Sequence, residues 1–203
     1  MRMAECGAII LAAGLSRRMG ARNKLLIEMN GRPMIRRVVR AAVDVCDGPV
    51  TVVTGHQRAD IESALAGLPV FCVHNPAFET GQKSSVVCGL KATAEAEATL
   101  MMLGDQPLLS PKHLIWLLSQ HRAQTPRKIT VPVNGAVRGN PLVIPRALKS
   151  LLLANPRDPG CRSFTRAHLE HVHRVETADP AFFLDIDTAE DLTGFQRQQE
   201  LSK

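Results

Sequence analysis

An α/β fold, laid out as three layers around a mainly parallel sheet, is predicted by three observations. Short apolar runs alternate with longer segments of helical period, the pattern of repeated strand–helix–strand units. The chain has 203 residues, long enough to bury its own core and closest to one domain over 1–203. Hydrophobic residues make up 45% and charged residues 22%, with 14 Gly and 13 Pro, which excludes a disordered, collagen-like or coiled-coil chain.

Taken in order, the strands are expected at Ala8 to Ala12, Val50 to Val53, Val70 to Val73, Thr99 to Leu103, Ile129 to Val133 and Val172 to Val175. Each is a run of β-branched and aliphatic residues too short for a helix. Helices fill the intervals. Pro33 suits a first helical position, and Met34, Ile35, Val38, Val39, Ala42 and Val43 then form an apolar stripe opposite Arg36, Arg37 and Arg40. Ser110 and Pro111 cap and open a helix through Leu114, Ile115, Leu117 and Leu118. The segment Asn134 to Pro145, richest in Gly and Pro, reads as a hairpin or lid. No repeat, low-complexity tract or linker interrupts the chain.

The longest apolar stretch, Ala8 to Leu15, falls far short of the roughly 20 residues that cross a bilayer. Arg17 and Arg18 follow it at once, so it is not read as a signal peptide, and a cytoplasmic protein without membrane partners is expected. Five scattered cysteines without a CxxC suggest buried small side chains, not a disulfide framework or a zinc site. The formal charge is +6 and most of the Lys and Arg residues are arginine, which favours anionic ligands. With no Tyr and one Trp, there are few aromatic platforms on which bases could stack, so nucleic acid is not the expected partner.

The chemistry concentrates where the first strand runs into Leu11-Ala-Ala-Gly-Leu-Ser-Arg-Arg-Met-Gly20, followed by Asn23-Lys24-Leu25-Leu26. Gly14 and Gly20 allow the backbone to approach a ligand and turn N–H groups toward phosphate oxygens, while Arg18 and Lys24 add charge. The loop is neither a Walker A loop nor the dinucleotide pattern GxGxxG. Asp105 follows Leu103 and Gly104 at a strand end, on the carboxyl edge where parallel sheets bind ligands. Mg2+ takes one or two carboxylates plus substrate phosphates, and Asp187, after the apolar Phe182-Phe183-Leu184, supplies a second. The alternative for Asp187 is a cap on the helix expected at Ala189 to Phe195; Asp185 reads as a structural partner. Gly81-Gln-Lys-Ser-Ser85 opens a helix, so its amides and hydroxyls can meet a base or ribose. His56 reads as a helix-start residue, and His113, His121, His168, His171 and His173 as surface residues.

These residues carry a resemblance. LAAGxSxRMG with Lys24 downstream resembles the signature loop of the molybdenum cofactor nucleotidyltransferase family. Gly104-Asp-Gln-Pro107 is similar to that family's GDxP, Arg138-Gly-Asn-Pro141 to its Gly-His/Asn-Pro turn, and Asp185-Ile-Asp-Thr-Ala-Glu-Asp-Leu192 to its DIDTPEDL. The order and spacing agree over about residues 6 to 195. Arg157-Asp-Pro-Gly-Cys-Arg162 resembles its GDxGAR but departs at Arg157 and Cys161.

The resemblance implies a Rossmann-like nucleotidyltransferase fold. It implies transfer of CMP from CTP to molybdenum-loaded molybdopterin, because LAAG with NKLL resembles the cytidylyl branch and LAGG with DKG the guanylyl branch. It implies Arg18, Lys24 and Asp105 as catalytic, and Leu11, Ala12, Ala13, Gly14, Arg18, Lys24, Asn75, Gly81, Ser84 and Ser85 as nucleotide-binding, with Asn75 at the base or ribose. Mg2+ would sit on Asp105 and Asp187, with Arg18 and Lys24 on the β and γ phosphates. Arg162 and Asp158 are candidates for the pterin, and Lys83, Arg138 and Arg146 for the acceptor phosphate. The product would pass to a molybdoenzyme or its insertion chaperone. The alternatives are a GTP-dependent guanylyltransferase, a sugar-phosphate or methylerythritol-phosphate nucleotidyltransferase, which commonly has Pro where Asn23 stands, and a non-catalytic cofactor carrier.

Overall fold

The computed structural model describes residues 5–16, 23–123, 127–154, 160–188 and 190–194. Arg17, Arg18 and Gly20 of the first loop lie outside the described residues, as do Arg157 and Asp158.

The strands are β1 (Cys6–Ala12), β2 (Glu28–Met29), β3 (Arg32–Pro33), β4 (Val50–Thr54), β5 (Phe71–His74), β6 (Ala98–Leu103), β7 (Ile129–Asn134), β8 (Val137–Arg138), β9 (Leu142–Pro145) and β10 (Val172–Glu176). The helices are α1 (Met34–Val43), α2 (Arg58–Ala64), α3 (Gln82–Ala92), α4 (Pro111–Ala123), α5 (Arg146–Ala154) and α6 (Cys161–Ala167). One sheet runs in the order β10-β7-β9-β6-β1-β4-β5, with β8 paired to β7, while β2 and β3 form a separate two-stranded ribbon. β1 pairs in parallel with β4 and β6, β4 with β5, and β7 with β10. All six expected strands are present.

The chain leaves β1 for β4 and β5 on one side, then returns to place β6 on the other. β1 is therefore a topological switch point, where the connections diverge and leave a crevice beyond the carboxyl ends of the strands. The sheet separates two cores, which makes the three layers. One face packs Ala8, Ile10 and Ala12 with Met34, Ile35, Val38 and Leu114; the other packs Ile9, Leu11 and Ala13 with Val86, Leu90 and Leu148. The alternation along β1 follows from successive side chains pointing to opposite faces.

α1 carries the predicted stripe, with Met34, Ile35, Val38, Val39 and Ala42 buried. At roughly 1.5 to 3 kcal/mol for each large side chain, that stripe stabilises the helix against the sheet far more than its propensity does. Pro33 stands just before the helix instead of in its first turn. α3 lies close on the other face because Gly89 has no side chain: a Cβ there would come 2.5 Å from Ile9 Cγ2 and 2.9 Å from Val53 Cγ2. That approach holds the start of α3 over the ends of β1 and β4.

Several expectations are corrected. Asn134 to Pro145 is not a lid: β7 and β8 do form a hairpin, but β9 is a buried strand inserted antiparallel between β6 and β7. Its run Leu142-Val-Ile-Pro145 is too short to separate from a turn by pattern alone. Ile115 is 57% exposed, because it falls outside the arc of Leu114, Leu117 and Leu118. His121 is only 3% exposed and hydrogen-bonds through Nδ1 to Thr130 Oγ1 at 2.8 Å, so it is a core residue. Of the cysteines, Cys6 and Cys161 are buried, the other three half-buried, and all are free thiols. Among the described residues no helix is long and apolar enough to cross a membrane.

Candidate active site

A pocket of about 430 Å³ opens at the switch point. Its floor comes from the ends of β1 and β6, through Leu11, Ala13 and Leu103. One wall comes from the start of α3, through Gly81, Gln82 and Ser85, and the other from Lys24, Asp105 and Asp187.

Gly14 lines this pocket, and among the described residues a Cβ built on it would meet nothing within 4 Å. Among the described residues of the loop, the left-handed position is Ser16, at φ 49°, and not Gly14. Asn23, buried, joins the two ends of the loop: its Oδ1 accepts from Ser16 Oγ at 3.3 Å and from Leu25 N at 3.1 Å. The cap holds Lys24 in a short 3-10 turn, Lys24–Leu26.

From there the Lys24 ammonium donates to Asp105 Oδ2 at 2.6 Å and to Asp187 Oδ1 at 2.7 Å, with 13% of its side chain exposed. Burial opposes the charge, but Asp105 and then Asp187 outweigh it and hold the Lys24 pKa above its ordinary value. Placing Lys24 between the two carboxylates differs from the expectation that it faces the polyphosphate. Two carboxylates brought this close need a cation between them, and this lysine is the one the fold delivers.

Asp105 and Asp187 lie far apart in sequence and meet because Ile186 N donates to the Asp105 carbonyl at 3.0 Å. Gln106, fully buried, adds a second tie through Nε2 to the Phe182 carbonyl at 3.4 Å. The helical turn after Asp187 is capped by other groups: Thr188 N donates to Asp191 Oδ2 at 2.8 Å while Asp191 N donates to Thr188 Oγ1 at 3.1 Å. This reciprocal capping box leaves the Asp187 carboxylate turned to Lys24. Asp185 stands beside the pair. Desolvation, followed by the charges of Asp105 and Asp187, raises its carboxyl above the ordinary value.

Of the expected nucleotide residues, Leu11, Ala13, Gly14, Lys24, Gly81 and Ser85 line the pocket, and Ala12, Asn75 and Ser84 do not. Ala12 points to the opposite face of β1, into the core beneath α1. Asn75, 3% exposed, turns inward: its Nδ2 donates to Ser84 Oγ at 2.8 Å and Ser85 Oγ at 3.0 Å, and its Oδ1 accepts from Ala77 N at 3.0 Å. It braces the loop before α3. Arg146 is paired with Glu95 at the far end of β9, on the opposite edge of the sheet from the pocket, so the antiparallel course of that strand removes it from the candidates for acceptor phosphate.

The sequence reading missed Phe78, which lines the pocket. Gly55 makes room for it, since a Cβ there would lie 2.6 Å from Phe78 Cβ and 2.8 Å from Ala13 Cβ. An isolated Phe between Asn75-Pro76 and Thr80-Gly81 was the available signal.

A crevice at the switch point of a doubly wound sheet, opening on paired carboxylates and a lysine, is the arrangement of an enzyme that transfers nucleotidyl groups. The chain belongs to the family of MobA-like NTP transferase domains, matching it over residues 8–173. A probable molybdenum cofactor guanylyltransferase of Natronomonas pharaonis is 29% identical over 197 residues, spanning 94% of this chain and 96% of that protein. The bifunctional protein GlmU of Sorangium cellulosum is 39% identical over 118 residues, 54% of this chain. The match takes in only 25% of that relative's length. Among solved structures, a Methanothermobacter nucleotidyl transferase superposes with a TM-score of 0.81 at 24% identity, covering 100% of both chains, and so shares the fold.

Proposed function

We propose that this nucleotidyltransferase moves CMP from CTP to molybdenum-loaded molybdopterin, releasing pyrophosphate and forming the cytosine dinucleotide. The observation that carries the transfer reading is the convergence of Asp105 and Asp187 on one ammonium, at 2.6 and 2.7 Å, beside the glycine-containing loop. The relation to a probable molybdenum cofactor guanylyltransferase supports the acceptor class. The choice of CTP rests on Ala13, whose side chain lines the pocket and packs near Phe78 across Gly55. A Cβ at that position narrows the space for a base, which suits a pyrimidine better than a purine.

In the reaction an oxygen of the acceptor phosphate attacks the α-phosphorus, and the bond from that phosphorus to the β-phosphate oxygen breaks, its electron pair leaving on pyrophosphate. No protein nucleophile is needed; positioning and neutralisation of charge do the catalysis. The residues fit a divalent cation. Asp105 Oδ1 is buried without a hydrogen-bond partner, and its Oδ2 shares a cation with Asp187 already. Among the described residues no group of three or more metal-binding side chains gathers, and two carboxylates completed by phosphate oxygens are the usual set for Mg2+ rather than for zinc. Bound by Asp105 and Asp187, Mg2+ would supply Lewis-acid charge to the triphosphate. With the two carboxylates taken up by the metal, the Lys24 ammonium that they hold here would be released toward the β and γ phosphates and, with Arg18, would stabilise the departing pyrophosphate.

A GTP-dependent guanylyltransferase is the second reading, favoured by the same relative. Turnover with CTP, GTP and ATP, using loaded molybdopterin and Mg2+, decides between them. Preference for GTP would overturn the cytidylyl assignment; nucleotide binding without turnover of any would favour a cofactor carrier.

A further inference from the structure

Cys6 opens β1, and Cys46 lies 40 residues later in the turn between α1 and β4. Their sulfurs stand 3.5 Å apart, the one contact between two cysteine sulfurs among the described residues. Both are free thiols. The backbone holds the two segments side by side. Asp47 accepts from Cys6 N through Oδ1 at 2.9 Å and from Glu5 N through Oδ2 at 3.1 Å. Gly48 N donates to the Cys6 carbonyl at 2.8 Å, and Ala8 N to the Pro49 carbonyl at 2.9 Å. Cys46 is tied in turn to α1, because its N–H donates to the Ala42 carbonyl at 2.9 Å. The approach of the sulfurs is therefore set by the pairing of the two chain segments. An S–S bond is roughly 2 Å long, so closing the pair takes about 1.5 Å of sulfur movement, which rotation about the two Cα–Cβ bonds supplies.

The two thiols differ in access. Cys6 is 2% exposed and belongs to the core on the α1 side of the sheet, whereas Cys46 is half-buried at the margin of that core. An oxidant meets Cys46 first. The hydrogen bond to Cys6, then burial, then the charges of Cys6 and Asp47 raise the Cys46 pKa. Little thiolate is present at neutral pH, and the thiolate is the nucleophile. The pair is thus unlike a fast sensor thiol and suits a fastening that engages under sustained oxidation.

We propose that Cys6 and Cys46 form a site of reversible oxidative modification, at which a hydroperoxide converts the two thiols to a disulfide. Cys46 Sγ, deprotonated, attacks one peroxide oxygen; the O–O bond breaks, and the other oxygen leaves as hydroxide, takes up the proton that Cys46 lost and becomes water. The sulfenic acid left on Cys46 is attacked by Cys6 Sγ. The S–O bond breaks, and the departing hydroxide takes the Cys6 proton as a second water. Two thiols and one hydrogen peroxide become one disulfide and two waters, each sulfur losing one electron and each peroxide oxygen gaining one. A dithiol reductant returns the pair to thiols by exchange. The link fastens β1, a central strand of the sheet, to the end of α1, and restricts the unfolded chain by closing a long loop. It forms at the amino end of β1, away from the pocket at the carboxyl end, and does not rest on the nucleotidyl-transfer reading.

The test is to incubate the folded protein with a small molar excess of hydrogen peroxide, denature it in the presence of a maleimide, and map its peptides by mass spectrometry. Cys6→Ser, Cys46→Ser and Cys72→Ser are treated in parallel, and thermal unfolding is followed before and after oxidation. In the wild type and in Cys72→Ser we expect a cross-linked peptide joining Cys6 to Cys46 and two fewer maleimide-reactive thiols. Their Tm should rise by about 5 to 15 °C, and dithiothreitol should abolish the rise. Cys6→Ser and Cys46→Ser should show neither the link nor the rise. The comparison of oxidised with reduced wild type needs no variant to fold. Absence of the cross-linked peptide, links shared equally with Cys72, Cys88 or Cys161, an unchanged or lowered Tm in the linked protein, or a rise that persists in Cys46→Ser would each overturn the proposal.

Discussion

Replacing Lys24 by Met keeps the length of the side chain and removes the cation that Asp105 and Asp187 share. In the wild-type protein a divalent ion competing for those carboxylates displaces an ammonium that makes two short hydrogen bonds, at 2.6 and 2.7 Å, with little solvent around it. A hydrogen bond to a charged group contributes about 1.5 to 3 kcal/mol. Hydration of the released ammonium returns part of the two, leaving a net barrier on the order of 1.5 to 3 kcal/mol, or about 10- to 100-fold in affinity. Lys24→Met should therefore bind Mn2+ in the absence of nucleotide at least about tenfold more tightly than wild type, read by electron paramagnetic resonance of free Mn2+. The same variant should lose about 10²- to 10³-fold in turnover, because a preorganised positive charge near the departing pyrophosphate is gone. The two readouts move in opposite directions, which a general loss of folding could not produce. Unchanged Mn2+ affinity would refute the shared-cation argument, and unchanged turnover would refute the catalytic one.

Asp105→Ala should fold normally and lose most of its turnover at limiting Mg2+; a near wild-type rate under those conditions would remove Asp105 from the machinery. Ala13→Gly should narrow a CTP over GTP preference without reversing it, since one steric contact is worth about 1 to 3 kcal/mol, and an unchanged ratio of the two kcat/KM values contradicts that role. Gly55→Ala places a Cβ 2.6 Å from Phe78 Cβ, so it should weaken nucleotide binding while thermal unfolding shows a folded protein. Burial, assisted by His173 and Arg122, pulls the His121 pKa from 6.5 to about 4. The native state therefore resists a proton that the unfolded chain accepts, so stability is full above about pH 6.5, declines as pH falls to about 4, and loses at most roughly 3 kcal/mol to this group. Denaturant unfolding of His121→Gln across that range should show a flatter slope; an identical slope would mean that other groups carry the acid sensitivity.

The parts of the site that were legible in the sequence are those set by neighbours along the chain. Asp105 follows an apolar run that could only be a buried strand, so its place at a carboxyl edge was readable, as was the basic loop after Ala12. The roles within those segments were less readable. Asn75 looks like a ligand-facing amide in sequence, yet its hydrogen bonds go to Ser84 and Ser85, since a buried amide takes whichever partners the packing brings near. His121 reads as a polar residue late in an amphipathic helix, and only the position of Thr130 on β7 shows that its imidazole is satisfied inside.

By itself, then, the sequence determined the α/β class, six of the strands, the helix stripes and the excess of arginine, because hydrophobic period and charge are local properties that need no knowledge of the partner surface. The tertiary structure alone decided which distant residues meet. It put β9 antiparallel in the middle of the sheet, carried Arg146 to the far edge, turned Ala13 toward the pocket and Ala12 away, and brought Asp187 to the ammonium that Asp105 holds. Each of these depends on a pairing between segments tens of residues apart, selected by the packing of two cores against one sheet. No short window of the sequence encodes such a choice.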